Sequence, residues 1–197
     1  MGAVLTQNTA WSNVERAIVN LKRARCLKER AILALEHRKL ASLLKPSGYF
    51  NLKARRLKSF VRFFKKIHGG SINRMKQQPT MELRQQLLGV HGIGPETADS
   101  ILLYALAKPV FVVDAYTRRV FSRHAWIHGD EKYDLIRLRV ESNWKKCGTA
   151  HKVRDWNEFH ALLVMVGKNF CHHRNPCCRE CPLKKTLPAR SPFRRLI

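Results

Sequence analysis

The fold is decided by residues 87–123, which read LLGVHGIGPETADSILLYALAKPVFVVDAYTRRVFSR. Gly89, Gly92 and Gly94 punctuate a turn between two segments of helical character. Pro95 opens the second segment, where its missing N–H costs no helical hydrogen bond. Backbone N–H groups of such a turn, at a helix N-terminus, can hold one phosphate of a nucleic-acid backbone. The stretch therefore predicts two helices joined by a glycine turn, over residues 81–106, that grip a backbone without reading its sequence.

A lone carboxylate, Asp114, follows Gly94 by twenty residues and ends the apolar run of residues 110–113. A carboxylate held beside a sugar can stabilise positive charge that develops there. The same side chain can cap a helix that begins at residue 115. The two roles are compatible, and both are predicted for Asp114.

The composition indicates a folded protein with a polyanionic partner. Hydrophobic residues make up 45% of the 197 residues, and 38 Lys and Arg against 14 Asp and Glu give a formal net charge of +24. The basic residues are spread along the chain, which favours nucleic acid as the partner over a merely solubilising surface. An anionic membrane surface is disfavoured because the sequence lacks a basic amphipathic helix with an aromatic face. No run of residues is long and apolar enough to span a bilayer.

Helical spacing of apolar residues dominates the sequence, and no convincing β alternation is present. The pattern predicts an all-α protein, with Thr80 as a helix cap and residues 110–113 as a buried connector. The predicted helices cover residues 12–25, 29–44, 51–67, 81–88, 95–106, 115–125 and 155–169.

Residues 88–94 together with Val113-Asp114 closely resemble the helix-hairpin-helix, Gly/Pro-rich, aspartate signature of the endonuclease III superfamily of DNA glycosylases. Residues 5–9 (LTQNT), residues 53–57 (KARRL) and the cysteine region after Gly167 match it as well. The resemblance implies a two-lobed all-helical fold, with double-stranded DNA and a flipped base in the cleft between the lobes. It implies a helical barrel lobe at 3–108, a second lobe at 109–187 with a cysteine loop at 171–187, and a basic tail at 188–197. The family's N-terminal segment is expected to be missing, since the chain opens at what resembles the second helix.

The resemblance also assigns roles to individual residues. Asp114 occupies the position of the residue that stabilises the sugar cation and orients water. Gln7 and Asn8 lie in the loop where the family places polar side chains that fill the gap left by the flipped base. The backbone contacts to DNA are expected from Gly89, Val90, Gly92, Ile93, Gly94 and Thr97.

Glu96 departs from the pattern of the bifunctional members, which carry a lysine two residues after the last glycine of the hairpin. A carboxylate cannot form the Schiff base that β-elimination requires. Glu96 therefore predicts a monofunctional glycosylase, and it resembles the branch that removes alkylated purines such as 3-methyladenine. Glu96 could equally be a polar wall of the base pocket that selects another base. The alternatives are a bifunctional glycosylase and AP lyase acting on oxidised pyrimidines, and a catalytically degenerate DNA-binding relative.

Three cysteines, Cys171, Cys178 and Cys181, resemble the first three ligands of the family's [4Fe–4S] loop, whose fourth position is Leu187 here. A cubane cluster normally needs four thiolates. A cluster with an outside fourth ligand, a zinc site completed by His172 or His173, and a loop without metal all remain open. Cys26 and Cys147 are predicted to be ordinary buried thiols. We further expect a monomer located in the cytoplasm with the nucleoid, or in a eukaryotic nucleus.

Overall fold

A computed structural model describes residues 1–146, 152–189 and 191. The chain divides into two compact units, Met1–Leu106 and Ala107–Ile197. Within the described residues, the regular secondary structure consists of α-helices and short 3-10 or π-helical turns, and no strand is present. The all-α prediction is therefore confirmed. The predicted basic tail, like Cys147, falls almost entirely outside the described residues.

The first unit contains eight α-helices within residues 1–106, a short 3-10 turn and a π-helical turn. The helices are α1 (Gly2–Leu5), α2 (Trp11–Arg23), α3 (Glu29–Ala34), α4 (His37–Leu43), α5 (Phe50–His68), α6 (Ile72–Gln77), α7 (Thr80–Leu88) and α8 (Pro95–Ser100). The 3-10 turn is Lys45–Ser47, and the π-helical turn, Ile101–Ala105, continues α8.

Helix α5 lies at the centre of the first unit, because α1, α3, α4 and α6 all pack against it. Ala54, Leu57 and Val61 recur at helical spacing and form its buried face. Lys53 lies on the same face, and its Nζ donates a hydrogen bond to the carbonyl of Ser47. Burial and the neighbouring Arg56 charge hold the pKa of Lys53 below its ordinary value.

The predicted helix over residues 29–44 is wrong as a single helix. Leu35 and Glu36 have extended backbone angles, with ψ of 136° and 149°, so the chain forms α3 and α4 instead. Lys58 of α5 donates hydrogen bonds from Nζ to the carbonyls of Leu33 and Leu35. These bonds satisfy carbonyls that a continuous helix would otherwise use, so a tertiary contact overrides the local pattern.

Two further corrections concern short segments of the first unit. Helix α6 is not predicted by the sequence pattern, although Ser71 caps it by accepting a hydrogen bond from the N–H of Arg74 at 3.3 Å. Thr80 is the first residue of α7 rather than its cap, and Pro79 occupies the cap position without a side-chain bond. Pro79 has an extended backbone, with ψ of 139°, so the helical conformation begins at Thr80.

The second unit begins with a connector at residues 107–114, of which residues 110–113 are buried as predicted. It contains α9 (Ala115–Arg123), α10 (Tyr133–Lys146) and α11 (Lys152–Asn169). Helix α10 was missed because its apolar residues do not form one stripe: Ile136 is buried while Leu135 and Leu138 are about half exposed. A 3-10 turn, Lys184–Thr186, follows the cysteine loop.

Helices α9 and α11 pack closely in the second unit. A Cβ atom placed on Gly167 of α11 would lie 2.4 Å from Cδ1 of Tyr116, so only glycine allows this approach. Phe159 adds ring contacts to Phe111 at 5.7 Å and to Trp144 at 5.2 Å between centroids. Within the parts of the chain that the structure describes, every helix is too short or too polar to cross a membrane.

Candidate active site and nucleic-acid interface

The glycine turn between α7 and α8 is anchored by two apolar side chains. Val90 and Ile93 are buried, and the N–H of Ile93 donates to the carbonyl of Val90 at 3.0 Å. Gly92 has φ of +85°, a left-handed conformation that side chains rarely adopt. Gly94 is extended at φ −93° and caps α8, and a Cβ on it would meet open space. The turn thus presents the N-terminus of α8 without a side chain at its cap.

The backbone donors of the turn fall into two groups. The N–H groups of Gly89, Val90 and Ile93 donate to carbonyls of the hairpin or of α7. Within the described residues, the N–H groups of Gly92 and Gly94 donate no backbone hydrogen bond. Gly92 and Gly94 are therefore among the backbone donors that an anion approaching this turn could meet, while the apolar residues hold the turn in shape.

Gln7 and Asn8, both predicted to enter DNA, have different surroundings. The Nε2 atom of Gln7 donates to the carbonyl of Gly92 at 3.0 Å and to Oγ1 of Thr97 at 2.9 Å. Asn8 is exposed and has φ of +54° at the tip of the loop after α1. Thr97 itself is 6% exposed. The loop and the hairpin are thus one connected structure within the first unit.

Glu96 lies in the first turn of α8 and is exposed. A carboxylate in the first turn of a helix is stabilised by the helix dipole. Three residues further, Asp99 faces inward and is fully buried. Its two carboxylate oxygens accept from Nε and Nη2 of Arg84 at 2.7 and 3.0 Å. The same short helix therefore carries one carboxylate at the surface and one that ties it to α7.

Asp114 caps α9 as predicted, since its Oδ1 accepts a hydrogen bond from the N–H of Thr117 at 2.7 Å. Its Oδ2 lies 3.6 Å from Nε2 of His160 on α11. The side chain is 15% exposed, so the carboxylate is largely buried but reachable. Asp114 thus caps α9 through Oδ1 and lies beside His160 with Oδ2.

The pKa of Asp114 lies below its ordinary value of 3.8. Burial opposes this and would raise the pKa, but the contact with His160 and the hydrogen bond from the N–H of Thr117 outweigh it. The carboxyl is therefore ionised at neutral pH. An ionised carboxylate in a largely dry setting is suited to stabilising a developing cation.

Two arginines of α9 hold the cysteine loop. Arg123 donates from Nη1 to Sγ of Cys171 at 3.1 Å and to the carbonyl of His172 at 2.6 Å. Arg119 donates to the carbonyls of Cys171 at 2.7 Å and Gly167 at 2.9 Å. The loop is thus fastened to α9 through backbone carbonyls as well as through sulfur.

The three predicted metal ligands, Cys171, Cys178 and Cys181, are buried and line one cavity of about 20 Å³ together with Leu187. Such a volume holds about one water molecule. Burial raises the pKa of the Cys178 thiol, and the neighbouring thiols Cys181 and Cys171 raise it further. Cys177 is exposed, and Cys26, predicted to be buried, is only half-buried.

This donor set does not fit a four-thiolate cluster. The fourth ligand position is filled by the apolar Leu187, which is 6% exposed. His172 and His173 do not line the cavity, so they do not complete a zinc site there. Among the residues that the structure describes, no group of three or more His, Cys, Asp or Glu side chains is arranged to hold a metal ion. No cluster is therefore assigned to the loop, and no chemical step is routed through one.

The sequence profile of the HhH-GPD superfamily of base excision DNA repair proteins matches residues 1–146, which include both the hairpin and Asp114. The chain belongs to this superfamily. Its HhH-GPD relatives are DNA repair glycosylases. The putative DNA repair glycosylase MJ1434 of Methanocaldococcus jannaschii is 46% identical over 186 residues, which cover 94% of this chain and 82% of that protein. Endonuclease III of Thermotoga maritima is 26% identical over 93% of this chain and 78% of its own length.

A solved structure of a DNA glycosylase is similar to most of this chain. The H. pylori 3-methyladenine DNA glycosylase MagIII, bound to 1,N6-ethenoadenine, aligns with a TM-score of 0.69 and 34% identity, covering 85% of this chain and 82% of that one. An endonuclease III–DNA complex aligns with a TM-score of 0.79 at 19% identity over 99% of this chain and 83% of its own, which shows a shared fold. The predicted superfamily and fold are confirmed.

Several residues that shape these sites were missed by sequence reasoning. Arg56 contacts the hairpin and Gln7, Arg84 pairs with Asp99, and His160 lies beside Asp114. Each is a basic residue on a helix in a chain with 38 Lys and Arg. Only the contact of Arg84 could have been predicted from the sequence, because the predicted turn brings its helix beside that of Asp99, fifteen residues further along the chain.

Proposed function

We propose that this protein is a monofunctional DNA glycosylase that hydrolyses the N-glycosidic bond of an alkylated base in duplex DNA. The observation that carries the proposal is Glu96, which stands at the family's lysine position on the exposed first turn of α8. A carboxylate offers no amine for a Schiff base, so water remains as the nucleophile.

Asp114 supplies the electrostatic part of the reaction. The C1′–N bond breaks and its electron pair leaves with the base, while the oxygen of water bonds to C1′ and releases a proton to solvent. A carboxylate with a lowered pKa is a weak base, so we assign Asp114 to stabilising positive charge on the sugar. His160 and Thr117 hold that carboxylate in its ionised form.

An alkylated purine is the substrate class that best suits this chemistry. Alkylation at a purine ring nitrogen makes the base cationic and therefore a good leaving group, which lessens the need for an enzymatic acid. The relative MagIII, 34% identical, is a 3-methyladenine DNA glycosylase. In this proposal Glu96 lines the base pocket and favours a cationic base through its charge.

Binding to duplex DNA is supported by the charge of +24 and by the N–H groups of Gly92, in the turn, and Gly94, at the cap of α8. Phosphate contacts of this kind give affinity that falls as salt rises. We expect the protein to act as a monomer, because one hairpin and one carboxylate suffice for the chemistry. We also expect it in the compartment that holds the DNA.

Base release from defined duplexes tests the proposal. Duplexes with 3-methyladenine, 1,N6-ethenoadenine, an oxidised pyrimidine or a G·T mismatch are incubated with the protein and analysed with and without hot alkali. The expected result is strand cleavage at an alkylated purine only after alkali. Cleavage without alkali, together with borohydride trapping of a protein–DNA adduct, would overturn monofunctionality. Salt-sensitive binding without release from any duplex would instead indicate a degenerate relative.

A further inference from the structure

Arg56, on the second turn of α5, lies against the glycine turn. A Cβ atom placed on Gly92 would come within 2.3 Å of Cγ and 2.7 Å of Cδ of Arg56. The arginine side chain therefore occupies the space beside Gly92 that any other residue would need. Arg56 is itself only partly exposed.

The guanidinium of Arg56 also fixes the carboxamide of Gln7. Nη1 of Arg56 donates a hydrogen bond to Oε1 of Gln7. The amide nitrogen of Gln7 in turn donates to the carbonyl of Gly92 at 3.0 Å and to Oγ1 of Thr97 at 2.9 Å. The three bonds use the oxygen and both N–H groups of the amide. Only one orientation of the amide satisfies them, with its oxygen toward Arg56 and its nitrogen toward the hairpin.

We propose that Arg56 is a positioning residue for base extrusion. It holds the loop of residues 6–10 on the hairpin through Gln7, so that the backbone grip and the exposed tip at Asn8 meet DNA as one preformed element. This inference rests on the proposed function, since extrusion matters only to an enzyme that acts on a single base. Its physical advantage is that the ordering of the loop is completed before binding.

The contacts distinguish this role from a simple phosphate contact. The Nε atom of Arg56 is buried and makes no hydrogen bond among the described residues, and Nη1 is bonded to Gln7. An arginine that bound a DNA phosphate directly would instead present its N–H donors to solvent. The neighbouring Arg55 is exposed on the same helix and gives a matched control for the loss of one positive charge.

The test compares Arg56→Met, Arg56→Lys and the control Arg55→Met. Three quantities are measured for each variant: the single-turnover rate of base release at saturating protein, the Kd for undamaged duplex, and the fluorescence increase of 2-aminopurine beside an abasic analogue, which reports extrusion. Loss of a hydrogen bond to a charged group predicts a fall of about tenfold in both rate and extrusion for Arg56→Met. The Kd should change no more than in Arg55→Met, and Arg56→Lys should recover most of the loss.

Non-additivity gives the second criterion. In a Gln7→Met background, Arg56→Met should cause no further loss of extrusion, because its partner is already gone. Equal behaviour of Arg56→Met and Arg55→Met, a loss confined to Kd, or additive effects with Gln7→Met would each overturn the inference. If Arg56→Met lowers the melting temperature, Thr97→Val provides a second variant that removes a different bond of Gln7 and should reduce extrusion as well.

The two proposals fail in distinguishable ways. Wild-type protein that releases no base from any duplex would overturn the proposed function, and the 2-aminopurine signal would still test Arg56. Active wild-type protein whose rate and extrusion are unchanged by Arg56→Met would overturn the inference alone.

Discussion

Arg84 and Asp99 form a buried two-point ion pair between the two helices of the hairpin, with Nε–Oδ1 and Nη2–Oδ2 distances of 2.7 and 3.0 Å. Both side chains are almost fully buried, at 3% and 0% exposure. The pair joins α7 to α8, the two helices that flank the glycine turn. The relative position of the two helices that flank the turn therefore depends on a buried ion pair, and not only on the glycines of the turn.

Removing one partner of this pair should destabilise the protein strongly. Asp99→Asn leaves a buried arginine without its charge partner, which costs about 3–5 kcal/mol of unfolding free energy. Urea denaturation of wild type and variant measures the difference. The double variant Arg84→Met, Asp99→Leu should recover much of the loss, because both charges of the pair are replaced by apolar side chains. A single variant within about 0.5 kcal/mol of wild type would contradict this account.

Alanine should lower the stability of the protein at Gly92, whereas at Gly94 it should weaken DNA binding without loss of stability. Gly92→Ala combines a φ of +85° with a clash against Arg56, so it should lower the unfolding free energy by more than about 1 kcal/mol. Gly94→Ala has an allowed backbone and open space, so it should leave the melting temperature unchanged or raise it slightly. Its methyl group should nevertheless weaken duplex binding, measured by fluorescence anisotropy. Unweakened binding by Gly94→Ala would remove this face of the turn from the DNA interface.

Asp114→Asn should separate the two roles of this residue. Asparagine retains an oxygen that can cap α9, so the melting temperature and the Kd for duplex DNA should hardly change. Loss of the negative charge should lower the single-turnover rate of base release by at least about 100-fold. Asp130→Asn, an exposed aspartate of the same unit, is the matched control. A rate similar to that of the control would exclude Asp114 from catalysis.

The pH dependence of base release should report the contact between Asp114 and His160. The folded pKa of Asp114 lies below 3.8, so the carboxylate stays charged as pH falls from neutral. The acid limb of the rate profile, where protonation of Asp114 lowers the rate of base release, should therefore lie below pH 3.8. His160→Phe removes the imidazole whose contact with Asp114 lowers this pKa, while burial still raises it. The acid limb of the single-turnover rate should therefore move to higher pH. His160→Gln keeps a donor and should shift it less, and an unshifted limb in His160→Phe would contradict the assignment.

The cysteine loop should hold without an iron–sulfur cluster. Leu187 fills the fourth ligand position, and Arg119 and Arg123 fasten the loop to α9. We expect little iron in the purified protein and no loss of melting temperature on chelation. Leu187→Cys, reconstituted anaerobically with iron and sulfide, should gain about four iron atoms per chain, whereas Leu183→Cys should not. Wild-type protein purified with a full cluster would contradict this expectation.

The sequence alone determined the features that depend on neighbours along the chain. Strong helical spacing located α2, α5 and α11 to within a few residues, and the glycine turn and Asp114 identified the superfamily. The cap at Asp114 was also predictable, because an N-cap bond spans only three residues. Glu96 was visible for the same reason, as a departure at one fixed position after the last glycine.

Only the tertiary structure decided how the sites are held. The break at Leu35 needs Lys58, 23 residues away, and the orientation of Gln7 needs Arg56 and Gly92, 49 and 85 residues away. No local pattern distinguishes these partners from the other basic residues of a strongly cationic chain. Hydrogen bonds between distant residues form only after the helices pack, so the packing selects which arginines and lysines shape the hairpin and which remain in solvent.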